Sequence, residues 1–302
     1  MHNIKISEIF EYFGTDSDIA GNRVMVSDRD DLCKIPQRQE DSHKGTYGTV
    51  LIVAGSGKMG GAPVLCAEAA LRSGCGIVKV FTHEKNRSHI LARLPEAIVI
   101  CDDDTDTLKK EIEKADSVVL GPGLDTDERA VGLTRVVTEN VRGLLVVDAD
   151  ALNILSSGQE DVKFSDISNV IFTPHIKEAG RLLKREASSV KKEKLKAVTE
   201  LSEKYNVTAV LKDARTFISD GDNIVINPSG NSGMATAGSG DVLSGILGGL
   251  GARGMRGTDL AVAGVYLHGL AGDVAASKLG ESCLIASDIV KALPDVLKCH
   301  EL

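Results

Sequence analysis

Along the chain, unbroken apolar runs alternate with stretches whose apolar residues return every three or four positions. The first such run, Thr49-Val-Leu-Ile-Val-Ala54, has no polar alternation, the pattern of a strand covered on both faces. A glycine-rich turn over Gly55–Gly61 follows, then an Ala/Leu-rich helix over 62–73 and a strand over Gly76–Phe81. Further strands are predicted over 97–101, 117–120, 144–148, 170–172 and 208–211, separated by helical stretches at 105–115, 127–141, 177–184 and 190–205. Apolar strands alternating with helices predict an α/β fold: a three-layer sandwich whose mostly parallel central sheet carries helices on both faces. The rhythm changes after Leu211. Thr216–Ser219, a turn at Asp220-Gly-Asp222 and Ile224–Asn227 read as a hairpin, hence an antiparallel edge. Asp241 to Leu297 reads as helices with a break at 254–259. Residues 1–37 are expected to be an N-terminal extension, in which Ile6, Ile9, Phe10 and Phe13 suit a short amphipathic helix. Residues 38–302 form one domain, with no internal repeat or linker.

Composition narrows the partners. The 302 residues carry a net charge of −8, only 3% aromatics and no Trp. A nucleic-acid binder needs a basic footprint and stacking surfaces, so nucleic acid is an unexpected partner. The six cysteines are scattered, without C-x-x-C or zinc-ligand spacing, as expected of reduced thiols. No signal peptide is readable at the start and no run approaches membrane-spanning length, so a cytoplasmic protein with no membrane partner is expected.

Candidate chemistry concentrates in Asn227-Pro-Ser-Gly-Asn-Ser-Gly-Met-Ala-Thr-Ala-Gly-Ser-Gly-Asp241. From Asp241 the apolar Val242, Leu243, Ile246, Leu247 and Leu250 recur at helical spacing, which places Gly238, Ser239 and Gly240 just before a helix. The first amides of a helix lack partners, and glycines let a ligand approach them, so this is an anion site. Asp241 beside it is expected to stay ionised at neutral pH and to serve as a base. Anion donors next to a base suit phosphoryl transfer; a capped helix with an acid in its first turn is the plainer reading.

Polar turns also end the strands, where open parallel sheets bind ligands. Gly55–Gly61 matches neither a P-loop nor a dinucleotide fingerprint, since Lys58 falls early and no Gly-Lys-Ser/Thr follows. Leu120-Gly-Pro-Gly-Leu-Asp125 is a ligand turn or a structural one. Asp148 and Asp150 at the end of the 144–148 strand suit Mg²⁺ held through water, or the capping of the next helix. Thr173-Pro-His-Ile-Lys-Glu178 places Pro174 in the first turn of a helix, with His175 and Glu178 three apart. Lys212 and Arg215 bring cations that suit a polyphosphate or merely a solvated surface. One crevice over all these ends is the economical reading.

The joint set His43-Lys-Gly-Thr-Tyr-Gly48, Val53-Ala-Gly-Ser56, Gly121-Pro-Gly123, Asp148–Asn153, Thr173-Pro-His175 and Asn231–Asp241 resembles the NAD(P)H-hydrate dehydratase family of the ribokinase-like superfamily, from about Arg38 to about Leu297. The resemblance implies repair of a damaged cofactor: the (6S) hydrates NADHX and NADPHX are dehydrated to NADH and NADPH, coupled to hydrolysis of ADP to AMP and phosphate. It places the hydrate at Ala62, Gly123, His175 and Asp241, and the adenine nucleotide at Lys212, Asp213, Ala214, Arg215, Thr216 and Gly240. Gly238, Ser239 and Gly240 form the anion hole and Asp241 is the base. Mg²⁺ bridges the phosphates, near Asp148, Asp150 and Glu178. Many bacterial members carry an N-terminal epimerase domain; the residues ahead of this domain are too few for one, so a separate epimerase is expected. The resemblance further implies a homotetramer, and tilts the co-substrate to ADP over ATP. The alternative within the superfamily is a kinase of a vitamin-precursor alcohol, a thiazole or pyrimidine.

Overall fold

The computed structural model describes residues 23–102, 104–158, 164 and 169–301. The amphipathic helix expected around Phe10 lies outside the described residues. Ten strands form a single sheet: β1 (Arg23–Val26), β2 (Thr49–Val53), β3 (Ile77–Phe81), β4 (Ile98–Ile100), β5 (Ser117–Leu120), β6 (Leu144–Val147), β7 (Val170–Phe172), β8 (Thr208–Leu211), β9 (Thr216–Ser219) and β10 (Asn223–Asn227). Their order across the sheet is β1-β10-β9-β8-β7-β6-β5-β2-β3-β4. All neighbours pair in parallel except β8 with β9 and β9 with β10. This is the expected mostly parallel sheet with its antiparallel end, and one strand more. β1 comes from the segment read as an extension and pairs in register with β10, Val24 opposite Ile224 and Val26 opposite Ile226. Leu32 and Ile35, a few residues on, are buried in the core. The polar run on either side of Arg23-Val-Met-Val26 hides this strand from periodicity.

The strands send alternate side chains to two cores. Val50, Ile52, Val78, Val80 and Val146 meet α1 (Gly61–Arg72), α9 (Ser239–Ala252), α10 (Gly257–Leu279) and α11 (Ala286–Glu301) on one face. Leu51, Val53, Phe81, Leu145 and Val147 meet the opposite layer, built by α3 (Thr105–Glu113), α4 (Glu128–Asn140), α5 (Ala149–Ser157), α6 (Ile176–Leu183) and α8 (Lys194–Tyr205). Between them α2 (Arg87–Arg93) packs Ile90 on the first face and α7 (Ala187–Lys192) packs Val190 on the second. Caps fix the helix starts: the Asp104 carboxylate accepts from the Asp106 and Thr107 amides, and Asp127 accepts from Ala130.

α9 packs closely against both α1 and the sheet. A Cβ added at Gly245 would lie 2.2 Å from the Cys66 carbonyl oxygen of α1, and one at Gly248 would lie 2.4 Å from a Val119 methyl on β5. Its glycines let α9 sit flush between α1 and the sheet. α10 is long and apolar enough to cross a membrane by length and composition, contrary to the expectation that no segment would be. Its apolar character has another cause: Leu260, Ala263, Leu267 and Ala271 are buried between the sheet and α11.

Candidate active site

The carboxyl ends of β6, β7 and β8 deliver polar side chains to the start of α9. Asp148 follows β6 directly and is 1% exposed. It occupies the N-cap position of α5 yet makes no capping bond. Its Oδ1 instead accepts from Lys212 Nζ at 2.7 Å, just past β8, and its Oδ2 accepts from Ser244 Oγ on α9 at 2.7 Å. Ala149, next in the chain, takes a left-handed φ of 50°, costly for a residue with a Cβ. That backbone turns Asp148 inward, while the Asp150 carboxylate accepts from the Asp125 amide at 2.8 Å. Burial works against the Lys212 charge, but Asp148, Glu178 and Asp241 outweigh it and raise its pKa. Lys212 is therefore a fixed cation.

α9 begins at Ser239 with Gly238 as its N-cap, so Ser239 and Gly240 stand within the first turn rather than ahead of it. Gly238 has φ +88°, and a Cβ there would meet Leu65 at 2.4 Å. The left-handed φ favours glycine there, and a side chain would also have to displace the end of Leu65. The Gly240 and Asp241 amides have no carbonyl four residues back within the helix, which leaves donors at its positive end. A Cβ at Gly240 would lie 3.2 Å from Lys212 Nζ, so the bare backbone passes close to the ammonium. Amide donors and an ammonium thus converge on one spot. Asp241 sits beside them, and its charge state differs from the one expected. Burial, then the Asp148 charge, push its pKa up to about 7, with Lys212 pulling the other way and Asp150 adding to the rise. Desolvation and like charge outweigh the helix dipole. The carboxyl titrates at neutrality, where a general base works best.

His175 is the N-cap of α6, so Pro174 lies before the helix and not in its first turn. His175 Nδ1 accepts from the Lys177 and Glu178 amides, and Glu178 accepts back from the His175 amide at 2.9 Å. With Nδ1 occupied as an acceptor, the neutral ring carries its proton on Nε2. Burial, then Lys212, lower the His175 pKa. Glu178 is raised, first by burial and then by Asp148, against the pull of Lys212. The two residues three apart are thus a capping pair at the rim of the acid cluster. The Lys212 amide donates to the Pro174 carbonyl at 2.8 Å, which ties the β7 and β8 ends together.

Two more expected residues meet nearby. A Cβ at Gly123, where φ is +60°, would lie 2.9 Å from the Ala62 Cβ, so the turns after β2 and β5 touch. Lys58 and Asp125 bridge the same turns at 3.1 Å. The segment after β8 is less unified. Lys212 faces the acids, whereas Asp213 pairs with Lys194 at 2.5 Å and Arg215 donates to the Ala214 carbonyl. Ala214 is exposed, and Thr216 opens β9 opposite Asn227.

The sequence reading missed His268. It lies on α10 under the start of α9, its Nε2 3.4 Å from Ser239 Oγ, and burial lowers its pKa to about 4. One imidazole within the apolar run Leu260–Ala271 was the signal available. Nor did the residues announce Ser244, which reads as one small residue of a helix. For a divalent ion, the described residues hold no cluster of three or more His, Cys, Asp or Glu that could cage one. Asp148 is spent on Lys212 and Ser244, and Asp150 on an amide. An ion that arrived with the phosphates would find Asp150 and Glu178 as the nearest acids left to help hold it.

An open, mostly parallel sheet covered by helices on both faces, with polar strand ends gathered at a glycine-rich helix start, defines a protein of ribokinase-like fold. A ribokinase-like superfamily protein of Enterococcus faecalis has that architecture, with a TM-score of 0.85 and 32% identity over 92% of this chain and 96% of that one. The profile of the NAD(P)H-hydrate dehydratase family matches residues 50–295, and the chain belongs to that family. The ADP-dependent (S)-NAD(P)H-hydrate dehydratase of Neisseria meningitidis is 42% identical over 260 residues, 84% of this chain and 86% of the relative. The bifunctional NAD(P)H-hydrate repair enzyme of Moorella thermoacetica is 38% identical over 88% of this chain, which spans only 52% of that relative's length. An ADP/ATP-dependent NAD(P)H-hydrate dehydratase of Bacillus subtilis, crystallised with ATP and Mg²⁺, has a TM-score of 0.81 at 28% identity, covering 93% of this chain and 99% of that one.

Proposed function

We propose that this chain dehydrates the (6S) hydrates of NADH and NADPH, with ADP as the phosphoryl donor. The observation that carries the reading is the Asp241 carboxyl in the first turn of α9, beside its amide donors and Lys212, which is fixed by Asp148. The hydrate's C6 hydroxyl is a poor leaving group. Asp241, deprotonated, accepts the hydroxyl proton as the C6 oxygen attacks the terminal phosphorus of ADP and AMP departs. The Gly240 and Asp241 amides and Lys212 offset the charge on the transferring oxygens. A divalent ion, when bound, neutralises the phosphates further. The ring nitrogen then expels phosphate from C6, and loss of a C5 proton restores the ring double bond. Ala62, Gly123 and His175 line the side for the hydrate; Lys212, Asp213, Ala214, Arg215, Thr216 and Gly240 the side for the nucleotide. The free cysteines among the described residues, Cys33, Cys66, Cys75, Cys101 and Cys283, suit a cytoplasmic protein. We infer a homotetramer served by a separate epimerase.

Incubation with NADHX, ADP and Mg²⁺, followed at the absorbance of reduced nicotinamide, tests this. NADH should return as AMP accumulates. A stable phosphorylated alcohol from a thiazole or pyrimidine substrate, with no NADH formed, overturns it. Asp241→Asn is expected to slow turnover by about 10³-fold while leaving ADP affinity within a factor of about three.

A further inference from the structure

The hydrate is a dinucleotide, and nothing described so far holds its far end. A shallow, open surface groove of about 470 Å³ lies beside α6 and the turn into α7, lined by Lys177, Arg181, Lys184, Arg185 and Glu186. Lys177 and Arg181 stand about one turn apart on α6, and Lys184, its C-cap with a left-handed φ of 54°, extends this stripe of cations past the helix end. In a chain with a net charge of −8, this stripe is purely cationic. A solvated surface helix usually interleaves its signs, as α8 does with Lys194, Lys196, Glu200 and Glu203. Arg185 is committed elsewhere, to Glu193, Glu200 and Ser189. Among the described residues the other three have no carboxylate partner. Arg181 donates one Nη to the neutral Asn153 Oδ1 at 2.7 Å, which orients the guanidinium and leaves its remaining donors and its full charge for a ligand.

The stripe is continuous with the site. Arg181 stands near enough to His175 and Glu178 to lower the pKa of each. From His175 to Lys184 the helix rises roughly 14 Å, a span that an extended dinucleotide covers between its reactive ring and its outer phosphates. We propose that Lys177, Arg181 and Lys184 bind a phosphate of the dinucleotide substrate, at the end remote from the reacting ring. The inference rests on the dehydratase reading. Arginine suits this task because its fork matches two phosphate oxygens, with the lysines adding point charges.

The test is a variant with Arg181→Gln and Lys184→Gln together, both exposed and outside the reacting cluster. Its KM for the dinucleotide hydrate should rise about tenfold, with kcat and the KM for ADP close to wild type. A rise confined to NADPHX assigns the 2′-phosphate, and an equal rise for NADHX assigns the pyrophosphate; either supports the groove. Unchanged KM for both hydrates, or a rise in the KM for ADP instead, overturns it. Calorimetric titration of NADPH into wild type and variant reads the groove without turnover: equal affinities overturn the proposal, and a weaker variant supports it. Failure of the wild type to turn over any hydrate speaks only against the dehydratase reading.

Discussion

Asp241 is a residue whose identity was plain in the sequence and whose charge was not. A carboxylate at a helix start should be stabilised by the dipole by about 1 kcal/mol or less. Burial and the neighbouring Asp148 come from distant parts of the chain, and together they win, lifting the carboxyl to about 7. The same holds for Lys212 and Asp148, readable as a cation and an acid at strand ends but not as a buried pair. Two measurements follow from the lifted pKa. If Asp241 is the base, kcat/KM rises about tenfold per pH unit below about 7 and levels off above it. A profile flat from about pH 5.5 to 8 removes Asp241 from that role. Stability runs the other way. The folded chain holds this proton more tightly than the unfolded chain, so between about pH 4 and 7 the folded state loses stability as pH rises. Replacing the carboxyl by an amide removes that loss. Asp241→Asn should therefore melt a few degrees higher than wild type at pH 8 while turning over about 10³-fold more slowly, a trade of stability for function. An unchanged or lower melting temperature there means the carboxyl is solvated and not strained.

Elements were legible in proportion to how completely they are buried. β6 is wholly apolar, and β2 and β5 are apolar after a first Thr49 and Ser117, because both faces are covered; no helical period competes with that pattern. β1 was invisible, since four residues between polar runs show no period; its pairing with β10 is set by tertiary contact. α2 and α5 are short, 7 and 9 residues, too few for a helical period to stand out. What no pattern could reveal is how close α9 comes to α1. Gly245 looks like a helix-weakening residue, yet in the fold it is the contact point, with the Cys66 carbonyl where a methyl would go. Because that oxygen belongs to a helical backbone, it cannot swing aside. Gly245→Ala should cost about 2–3 kcal/mol and displace the N-terminal turn of α9. Urea denaturation reads the first effect. The second appears as a kcat about tenfold lower, with the KM for ADP raised. Wild-type stability in this variant shows that the two helices tolerate separation.

At the scale of the whole molecule, opposite ends of the chain hold the loop that precedes the anion site. β1 lies beside β10, and the next residue, Ser27, donates to Asn227 Oδ1 at 3.1 Å. The same oxygen accepts from Ser229 Oγ at 2.9 Å, and that hydroxyl also lies 3.2 Å from the Tyr266 carbonyl of α10. Two turns further on, Asp273 of α10 accepts from the Gly230 amide and from Asn231 Nδ2 at 3.0 and 2.9 Å. The loop between Asn227 and Gly238 is thus moored to the N-terminal strand at one end and to α10 along its length, before it delivers the first turn of α9. Neither mooring touches the reacting atoms, so both act by limiting where the anion donors can wander. Ser27→Ala removes one neutral bond whose acceptor keeps another donor, which costs about 1 kcal/mol and raises the KM for ADP at most about threefold. Asp273→Ala strands an amide and an asparagine at once. It should raise that KM about tenfold or more and leave the pH midpoint set by Asp241 where it is. The ordering of the two variants is the discriminating result. Were Asp273→Ala to lose stability with its KM for ADP intact, the mooring would serve the fold and not the site; a shifted pH midpoint would instead mean that Asp273 acts on Asp241 through charge.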